Sequence, residues 1–399
     1  MLSAFKNSDV AALQRAQPNH IAALDGLRGF AILMVLANHV GCSPNYGSNP
    51  LVAFSNALSQ IGWMGVDLFF VLSGFLITGI LYDSLNQHGY FKKFYMRRII
   101  RIFPLYYGYL AVLFVLSRPL NLVWRGREWM LVFYLQNILA HWTNSRFSVL
   151  TGHLWSLAVE EQFYLAWPIL VFFIREKRRL IAVAAFACLL SAYYRDHLYS
   201  QGAEWVTIYR LTACRMDTLL VGGIVALTLR GSVRPSITRH AKLAFFLLAI
   251  FLALVGVWNH SAFHSSAYFR NVPGYSLIAI TAACLLIMVL DSGSIANGLF
   301  RNELLQCFGR YSYGIYVLHR LCLVEVGAFI YSGGRVSTIL HRFHTGRAID
   351  VILSVGLSCA LAWLSYNFYE IHFLKLKRYF SYNRPPRQPV IQSSTATIV

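Results

Sequence analysis

Long apolar segments recur along the whole chain and are separated by short polar stretches. A helix needs about 20 mostly apolar residues to cross a bilayer, and ten segments meet or approach that length. The predicted spanning helices cover 22–41, 62–82, 99–117, 154–174, 180–194, 207–229, 243–260, 274–290, 311–331 and 349–369. The pattern predicts an all-α polytopic membrane protein whose spans form one continuous domain.

The apolar segment 129–140 is too short to span a bilayer easily. We therefore expect an interfacial or re-entrant piece there. The alternative is an eleventh span, with which the orientation inferred from the Lys and Arg counts would fail. The predicted domain limits are a cytoplasmic N-terminal segment at 1–20, a transmembrane domain at 21–372 and a cytoplasmic tail at 373–399. The tail is basic, polar and rich in proline, a composition typical of disorder.

The charge distribution indicates how the spans are oriented. Of the 399 residues only 13% are charged, and the net charge is +19. With a cytoplasmic N-terminus, the inside segments carry 21 Lys and Arg and the outside loops carry 10. Cytoplasmic loops are enriched in these residues, so we expect both termini inside and a multi-pass protein of a bacterial inner membrane. Because the basic clusters flank spans, the predicted partner is the lipid bilayer and not nucleic acid.

The cysteines indicate neither a disulfide framework nor a metal site. The chain has seven cysteines, scattered along its length, and no C-x-x-C pair. Paired spacings of that kind are typical of zinc sites, and an even, closely spaced set is typical of disulfide scaffolds. We therefore interpret them as small buried side chains and predict no metal.

Many ionisable residues lie inside the predicted spans, where they are costly and face a cavity or a partner. They are Asp25, Arg28, His39, Asp67, Arg101, Glu160, Glu161, Arg215, Asp217, His319, Arg320 and Glu325. About half are expected to form structural ion pairs. The candidates for such pairs are Arg215 with Asp217 and Arg320 with Glu325.

Two spacings point to a site with two ends. Arg28 and His39 are eleven residues apart, so they share one helix face and lie about 16 Å apart along it. Arg98 and Arg101 are three apart and also share a face. Arg28, Arg98 and Arg101 thus gather on the predicted cytoplasmic side. Guanidinium groups bind phosphate oxygens in bidentate fashion, which favours a phosphorylated ligand.

The fourth predicted span begins near the outer face with His153, Trp155 and Glu160. At that depth Glu160 is expected to meet His39. A carboxylate beside an imidazole orients the ring and raises its basicity. The sequence therefore predicts a His39–Glu160 pair that removes a proton from a hydroxyl group.

Five motifs contain these polar residues. They are Arg28-x10-His39, GVDLFFVLSGFLI at 65–77, Arg98-x-x-Arg101-x-x-Pro104, HLWSLAVEEQFY at 153–164 and YSYGIYVLH at 311–319. With these motifs, in this order over roughly residues 20–370, the chain resembles the acyltransferase 3 family. The resemblance implies an integral membrane enzyme that acylates hydroxyl groups of exported or envelope carbohydrates, while some members act on macrolides or peptides.

The resemblance also implies the ligands and the roles of residues. The donor is acyl-CoA, by family habit acetyl-CoA, without a metal. The acceptor is a carbohydrate, a lipid-linked glycan or another hydroxyl compound. Some members carry a fused extracytoplasmic hydrolase-like domain, which we expect this chain to lack. His39 and Glu160 are the catalytic candidates, and Arg28, Arg98 and Arg101 the donor-binding ones. The candidate supporting residues are Asp25, Asp67, Ser73, His153, Trp155, Tyr164 and His319.

The resulting hypothesis places the phosphates of acyl-CoA at the arginines and its thioester at His39. His39 then deprotonates the acceptor, with Ser73 or Tyr164 as candidate oxyanion donors, and an acyl-histidine intermediate stays open. The alternative is a transporter or flippase for a lipid-linked sugar or the acyl donor. Transporters often contain internal repeats, and the sequence contains none that we detect.

Overall fold

The structure is a computed structural model, and it describes most of the chain. The described residues are 21–40, 59–123, 126, 128–138, 146–230, 235–259, 263–331 and 346–382. The predicted segment 1–20 and the last part of the predicted tail, 383–399, lie outside them.

Helices and turns make up the described residues, and no β-strand occurs among them. Ten of the helices there have at least 16 residues. They are α1 (Ala22–Val40), α2 (Met64–Asp83), α3 (Tyr90–Val115), α4 (Trp155–Ile174), α5 (Lys177–Ser200), α6 (Thr212–Thr228), α7 (Pro235–Trp258), α8 (Tyr275–Leu290), α9 (Glu303–Tyr331) and α10 (Gly346–Ser365). The predicted all-α class is confirmed.

In the part of the chain that the structure describes, eight helical segments are long and apolar enough to cross a membrane. They include all of these helices except α5 and α9. The chain is therefore a multi-pass membrane protein. The predicted total of ten spans and the cytoplasmic termini stay predictions.

Two glycines let the α2–α6 helix pair approach closely. A Cβ atom at Gly74 of α2 would lie 1.8 Å from the carbonyl oxygen of Leu219, and one at Gly222 of α6 would lie 2.0 Å from that of Val71. Small residues at helix contacts in membranes allow this backbone approach, and packing then replaces the hydrophobic effect as the stabilising force. The close packing of α2 against α6 thus depends on one glycine from each helix, Gly74 and Gly222.

The apolar segment after α3 contains a single helical turn, Trp129–Val132, followed by turns up to residue 138. Side chains of the bundle satisfy its carbonyl groups. The Tyr106 hydroxyl donates to the carbonyl oxygen of Leu131 (2.8 Å), and Gln162 Nε2 donates to that of Tyr134 (2.7 Å). Non-helical backbone at membrane depth needs such partners. In its described part, this segment is not a spanning helix, as expected.

Buried ion pairs cross between helices, and the predicted Arg215–Asp217 pair is wrong. Arg215 of α6 donates to Asp67 of α2 (2.5 Å), while Asp217 accepts from Arg195 of α5 (2.9 Å). All four side chains are fully buried or nearly so. Residues two apart on a helix do not face each other, so each charge pairs with a different neighbouring helix.

The predicted pair of Arg320 and Glu325 is not seen in the described part of the chain. Arg320 instead donates its Nε–H to the carbonyl oxygen of Val149, 3.2 Å away. Residues five apart on an α-helix are rotated by about 140°, which separates the two side chains.

Helical structure continues past α10 to residue 380. A π-helical turn at Tyr366–Glu370 leads into Ile371–Leu374 and a 3-10 helix, Lys375–Phe380. We call residues 366–382 the C-terminal strap. The Tyr369 hydroxyl donates to the carbonyl oxygen of Pro104 in α3, 3.1 Å away. The predicted tail boundary at 373 therefore falls inside an ordered segment that packs against α3.

Candidate active site

Three histidines from three segments meet at one end of the bundle. His39 lies in the last turn of α1, His319 lies within α9, and His153 belongs to the 3-10 helix Gly152–Leu154. Nε2 of His319 lies 3.3 Å from Nδ1 of His39, and the ring centroids of His153 and His319 are 4.9 Å apart. His153 and His319 are buried. We call these residues the histidine cluster and their location the histidine end.

Backbone carbonyls fix the hydrogen positions in this cluster. His319 Nδ1 lies 2.7 Å from the carbonyl oxygen of Tyr316, and a carbonyl can only accept, so this nitrogen carries the hydrogen. His319 Nε2 is then an acceptor in the neutral ring. His39 Nδ1 lies 3.0 Å from the carbonyl oxygen of Val35 and is a donor by the same reasoning. Nε2 of His39 is therefore left unprotonated and can take a proton.

The predicted contact between His39 and Glu160 is absent. The ring contact of His39 is with His319, and Glu160 bonds elsewhere. His153 is the residue near the start of α4 that reaches the cluster. Glu160 follows it by seven residues, which is about 10 Å along a helix. The prediction that Glu160 and His39 lie at the same depth was wrong by that distance.

Glu160 forms a second cluster with Ser73 and Tyr164. The Ser73 hydroxyl donates to Oε1 of Glu160 at 2.7 Å. Tyr164 is buried one turn further along α4 and therefore shares a helix face with Glu160. Ser73 and Tyr164 thus lie at Glu160, toward the arginines, and not at His39 as oxyanion donors.

Tyr316 connects the two clusters. Its hydroxyl donates to the backbone carbonyl of His153 at 2.7 Å and lies 2.5 Å from the Ser156 hydroxyl. Glu160 lies one turn further along α4 than Ser156. Polar groups therefore follow one another from the histidine cluster to Glu160 inside an otherwise apolar bundle.

The predicted arginines lie at the opposite end, the arginine end. Arg28 Nη1 lies 3.0 Å from Oδ1 of Asp25, and Arg101 Nη1 lies 3.8 Å from Oε2 of Glu370 in the C-terminal strap. The Nε atom of Arg98 is buried and has no hydrogen-bond partner within the described residues. Such an orphaned donor fits a site whose anion comes from a ligand.

Two of the predicted supporting residues have packing roles. Asp67 is fully buried in its ion pair with Arg215. Trp155 is also buried, with its ring edge-on to Phe70 at 6.0 Å and tilted against Tyr209 at 4.7 Å between ring centroids. Both residues stabilise the helices that carry the site.

Sequence reasoning missed Tyr316 and Glu370. Tyr316 lies three residues before His319 within the same motif, so the motif itself was a signal for it. Glu370 had no such signal, because it follows the last predicted span. Within the described residues, no three or more His, Cys, Asp or Glu side chains are arranged to hold a metal ion.

Comparison with known proteins gives a family match. The family profile described as "Acyltransferase domain" (Acyl_transf_3) matches residues 21–367. A Bacillus subtilis (strain 168) protein named "Putative peptidoglycan O-acetyltransferase YrhL" is 31% identical over 374 residues, covering 88% of this chain and 54% of the relative. Listeria monocytogenes "Peptidoglycan O-acetyltransferase OatA" is 31% identical over 325 residues, covering 76% of this chain and 50% of the relative.

A Staphylococcus aureus (strain COL) protein named "Putative O-acetyltransferase SACOL0978" is 26% identical over 380 residues, covering 89% of this chain and 58% of the relative. The chain spans about half the length of the curated relatives it matches. No solved structure matches the chain.

Proposed function

The chain belongs to the acyltransferase 3 family of membrane O-acyltransferases, and on that premise we propose that it transfers an acetyl group from cytoplasmic acyl-CoA to a carbohydrate hydroxyl, with His39 as the general base. Membership favours acyl transfer over the transporter alternative. The donor, the acceptor and the roles of individual residues are the parts that we propose.

The proposal that His39 acts as the base rests on the hydrogen-bond partners of its ring. His39 Nδ1 is directed at the Val35 carbonyl oxygen (3.0 Å) and at His319 Nε2 (3.3 Å), and among the described residues Nε2 of His39 has no hydrogen-bond partner. A neutral imidazole with a fixed tautomer is the group best suited to accept a proton from a hydroxyl near neutral pH. His319 replaces Glu160 as the residue that orients it.

The proposed reaction is a direct transfer. The acceptor hydroxyl gives its proton to Nε2 of His39 as its oxygen forms a bond to the thioester carbonyl carbon. The carbon–sulfur bond then breaks, and the imidazolium returns the proton to the departing thiolate. The products are the acetyl ester and CoA. The Nδ1–H of His39 keeps its bond to Val35 throughout, which stabilises the charged ring.

The donor is proposed to enter from the arginine end. Arg28 and His39 are eleven residues apart on α1, or about 16 Å, so a long and thin acyl carrier is needed to join them. The pantetheine arm of acyl-CoA has that shape. Arg28, Arg98 and Arg101 would bind its phosphate groups through charged hydrogen bonds. Glu160 and its partners border the proposed route, where their polar atoms would bind the arm.

The acceptor is proposed from the relatives. Two of them carry names that specify peptidoglycan O-acetylation, so peptidoglycan sugars are the first acceptor class to test, followed by lipid-linked glycans. The histidine end would then face outward in a bacterial inner membrane, with both termini in the cytoplasm. This orientation agrees with the surplus of Lys and Arg in the predicted inside segments.

The test uses purified protein in liposomes with acetyl-CoA labelled on its acetyl group. Label recovered in an O-ester on muropeptides or a lipid-linked glycan supports the proposal. Absence of label from every acceptor, together with no binding of CoA, would contradict the proposed donor. Release of intact donor across the bilayer, without ester formation, would favour transport.

A further inference from the structure

The C-terminal strap lies against the part of α3 that carries the arginines. Arg97 Nη1 is 3.5 Å from the carbonyl oxygen of Phe380, and its guanidinium lies 5.4 Å from the centre of the Tyr382 ring. Arg101 pairs with Glu370 at 3.8 Å. Both ends of the strap are thereby attached at the arginine end of the bundle.

Between these attachments the strap carries Lys377, which is half-buried. The attachments on either side of it are to Arg101, through Glu370, and to Arg97, through Phe380, so the strap holds Lys377 beside the arginines of α3. Within the described residues, the Lys377 ammonium makes no ion pair within 4.0 Å, and Glu370 on the same strap pairs with Arg101.

Half-burial of a lysine among guanidinium groups is unfavourable without an anion, because like charges repel and burial removes water. Packing alone does not explain a lysine at this position, since a neutral side chain would fill the same space without the repulsion. An anion with several phosphate groups would turn the repulsion into attraction. A cleft with one sign of charge also attracts such a ligand.

We propose that Lys377 is a further phosphate-binding residue of the acyl-donor site and that the C-terminal strap completes that site. This inference rests on the proposed function, in which acyl-CoA is the donor. The arginines of α1 and α3 offer planar groups for bidentate contacts, and Lys377 adds a compact charge from the other side. The strap would thus favour donors that carry phosphates over a bare thioester.

The chain offers a matched control on the same 3-10 helix. Lys375 has the same charge as Lys377 but is exposed, two residues away. The full chain in detergent would be titrated calorimetrically with CoA, and with pantetheine as a ligand that lacks the phosphates. The variants are Lys377→Ala, Lys377→Gln and Lys375→Ala, with melting temperatures measured in parallel.

We expect Lys377→Ala and Lys377→Gln to bind CoA about tenfold more weakly, as loss of one charged phosphate contact predicts. Lys375→Ala should bind CoA like the wild type, and pantetheine binding should be the same in all four proteins. If both Lys377 variants melt normally and bind CoA like the wild type, the inference is overturned and the donor proposal stands. If the wild type binds no CoA, the donor proposal fails and this inference fails with it.

Discussion

Nε2 of His319 lies 3.3 Å from Nδ1 of His39, while Nδ1 of His319 lies 2.7 Å from the carbonyl oxygen of Tyr316. The two rings belong to helices separated by 280 residues in sequence. The backbone carbonyl fixes the hydrogen on His319, and His319 in turn fixes the hydrogen on His39. His319, whose tautomer is fixed by a main-chain carbonyl, thus orients the ring of His39.

Replacing His319 should reduce the rate of acyl transfer without weakening the binding of the donor. We expect His319→Ala to lower kcat roughly 10²-fold or more, because general base catalysis depends on the position of the ring. His319→Gln can still accept from His39 and should retain part of the rate. Initial rates at saturating acetyl-CoA would measure this.

The exposed His264 provides the control. His264→Ala should keep the wild-type kcat and KM. A folded His319→Ala protein with wild-type kcat would show that His319 does not orient the base.

Replacing Arg101 should act on donor binding. Arg101→Ala removes charged hydrogen bonds to phosphate, worth about 1.5–3 kcal/mol, so KM for acetyl-CoA should rise roughly 10- to 100-fold while kcat changes little. Arg101→Lys should give an intermediate KM because lysine cannot bind in bidentate fashion. Rates measured against donor concentration separate the two constants, with exposed Arg179→Ala as the control. A fall in kcat at unchanged KM would contradict the assignment.

Removing the carboxylate of Asp67 should destabilise the protein. The Asp67–Arg215 pair is fully buried at 2.5 Å, so Asp67→Ala leaves Arg215 as an unpaired buried charge, at a cost of about 3–5 kcal/mol. The double variant Asp67→Leu, Arg215→Met should be more stable than Asp67→Ala alone. Unfolding in detergent tests this order, and equal stability of Asp67→Ala and the wild type would contradict it.

A methyl group at Gly74 should disrupt the α2–α6 contact. Its Cβ atom would lie 1.8 Å from the carbonyl oxygen of Leu219, whereas a Cβ atom at Gly298 has nothing within 4 Å. We expect Gly74→Ala to lower the melting temperature and Gly298→Ala to leave it unchanged or raise it slightly. An unchanged melting temperature for Gly74→Ala would mean that the two helices can separate without cost.

Most of the long helices could be predicted from sequence because their segments are long and mostly apolar. The C-terminal strap, with its π-helical turn, could not be predicted from sequence. Glu370 and Lys377 follow the last apolar run, and their roles depend on the contact of the strap with α3. Composition also resembles a disordered tail there. The strap is ordered by hydrogen bonds to distant residues, such as that from the Tyr369 hydroxyl to the Pro104 carbonyl oxygen. The local sequence pattern does not predict such bonds.

The candidate site residues stay predictions from the sequence, and the structure supplies their pairings. Spacing on one helix places Arg28 and His39 correctly on a common helix, because the rise per residue is fixed. Pairings between helices depend on where each helix starts relative to the next. The sequence prediction placed Glu160 beside His39, about two helical turns from its position in the structure. There the Glu160 carboxylate accepts a hydrogen bond from Ser73. The actual partner, His319, was recognised as part of a motif without a defined contact.

The most direct test of the central claim is acetyl transfer from labelled acetyl-CoA by the purified protein and by its His39→Ala and His264→Ala variants. The account predicts ester formation by the wild type and by His264→Ala, and a fall to the uncatalysed background for His39→Ala with its CoA affinity and melting temperature unchanged. Transfer by a folded His39→Ala protein at a rate near that of the wild type would contradict His39 as the base.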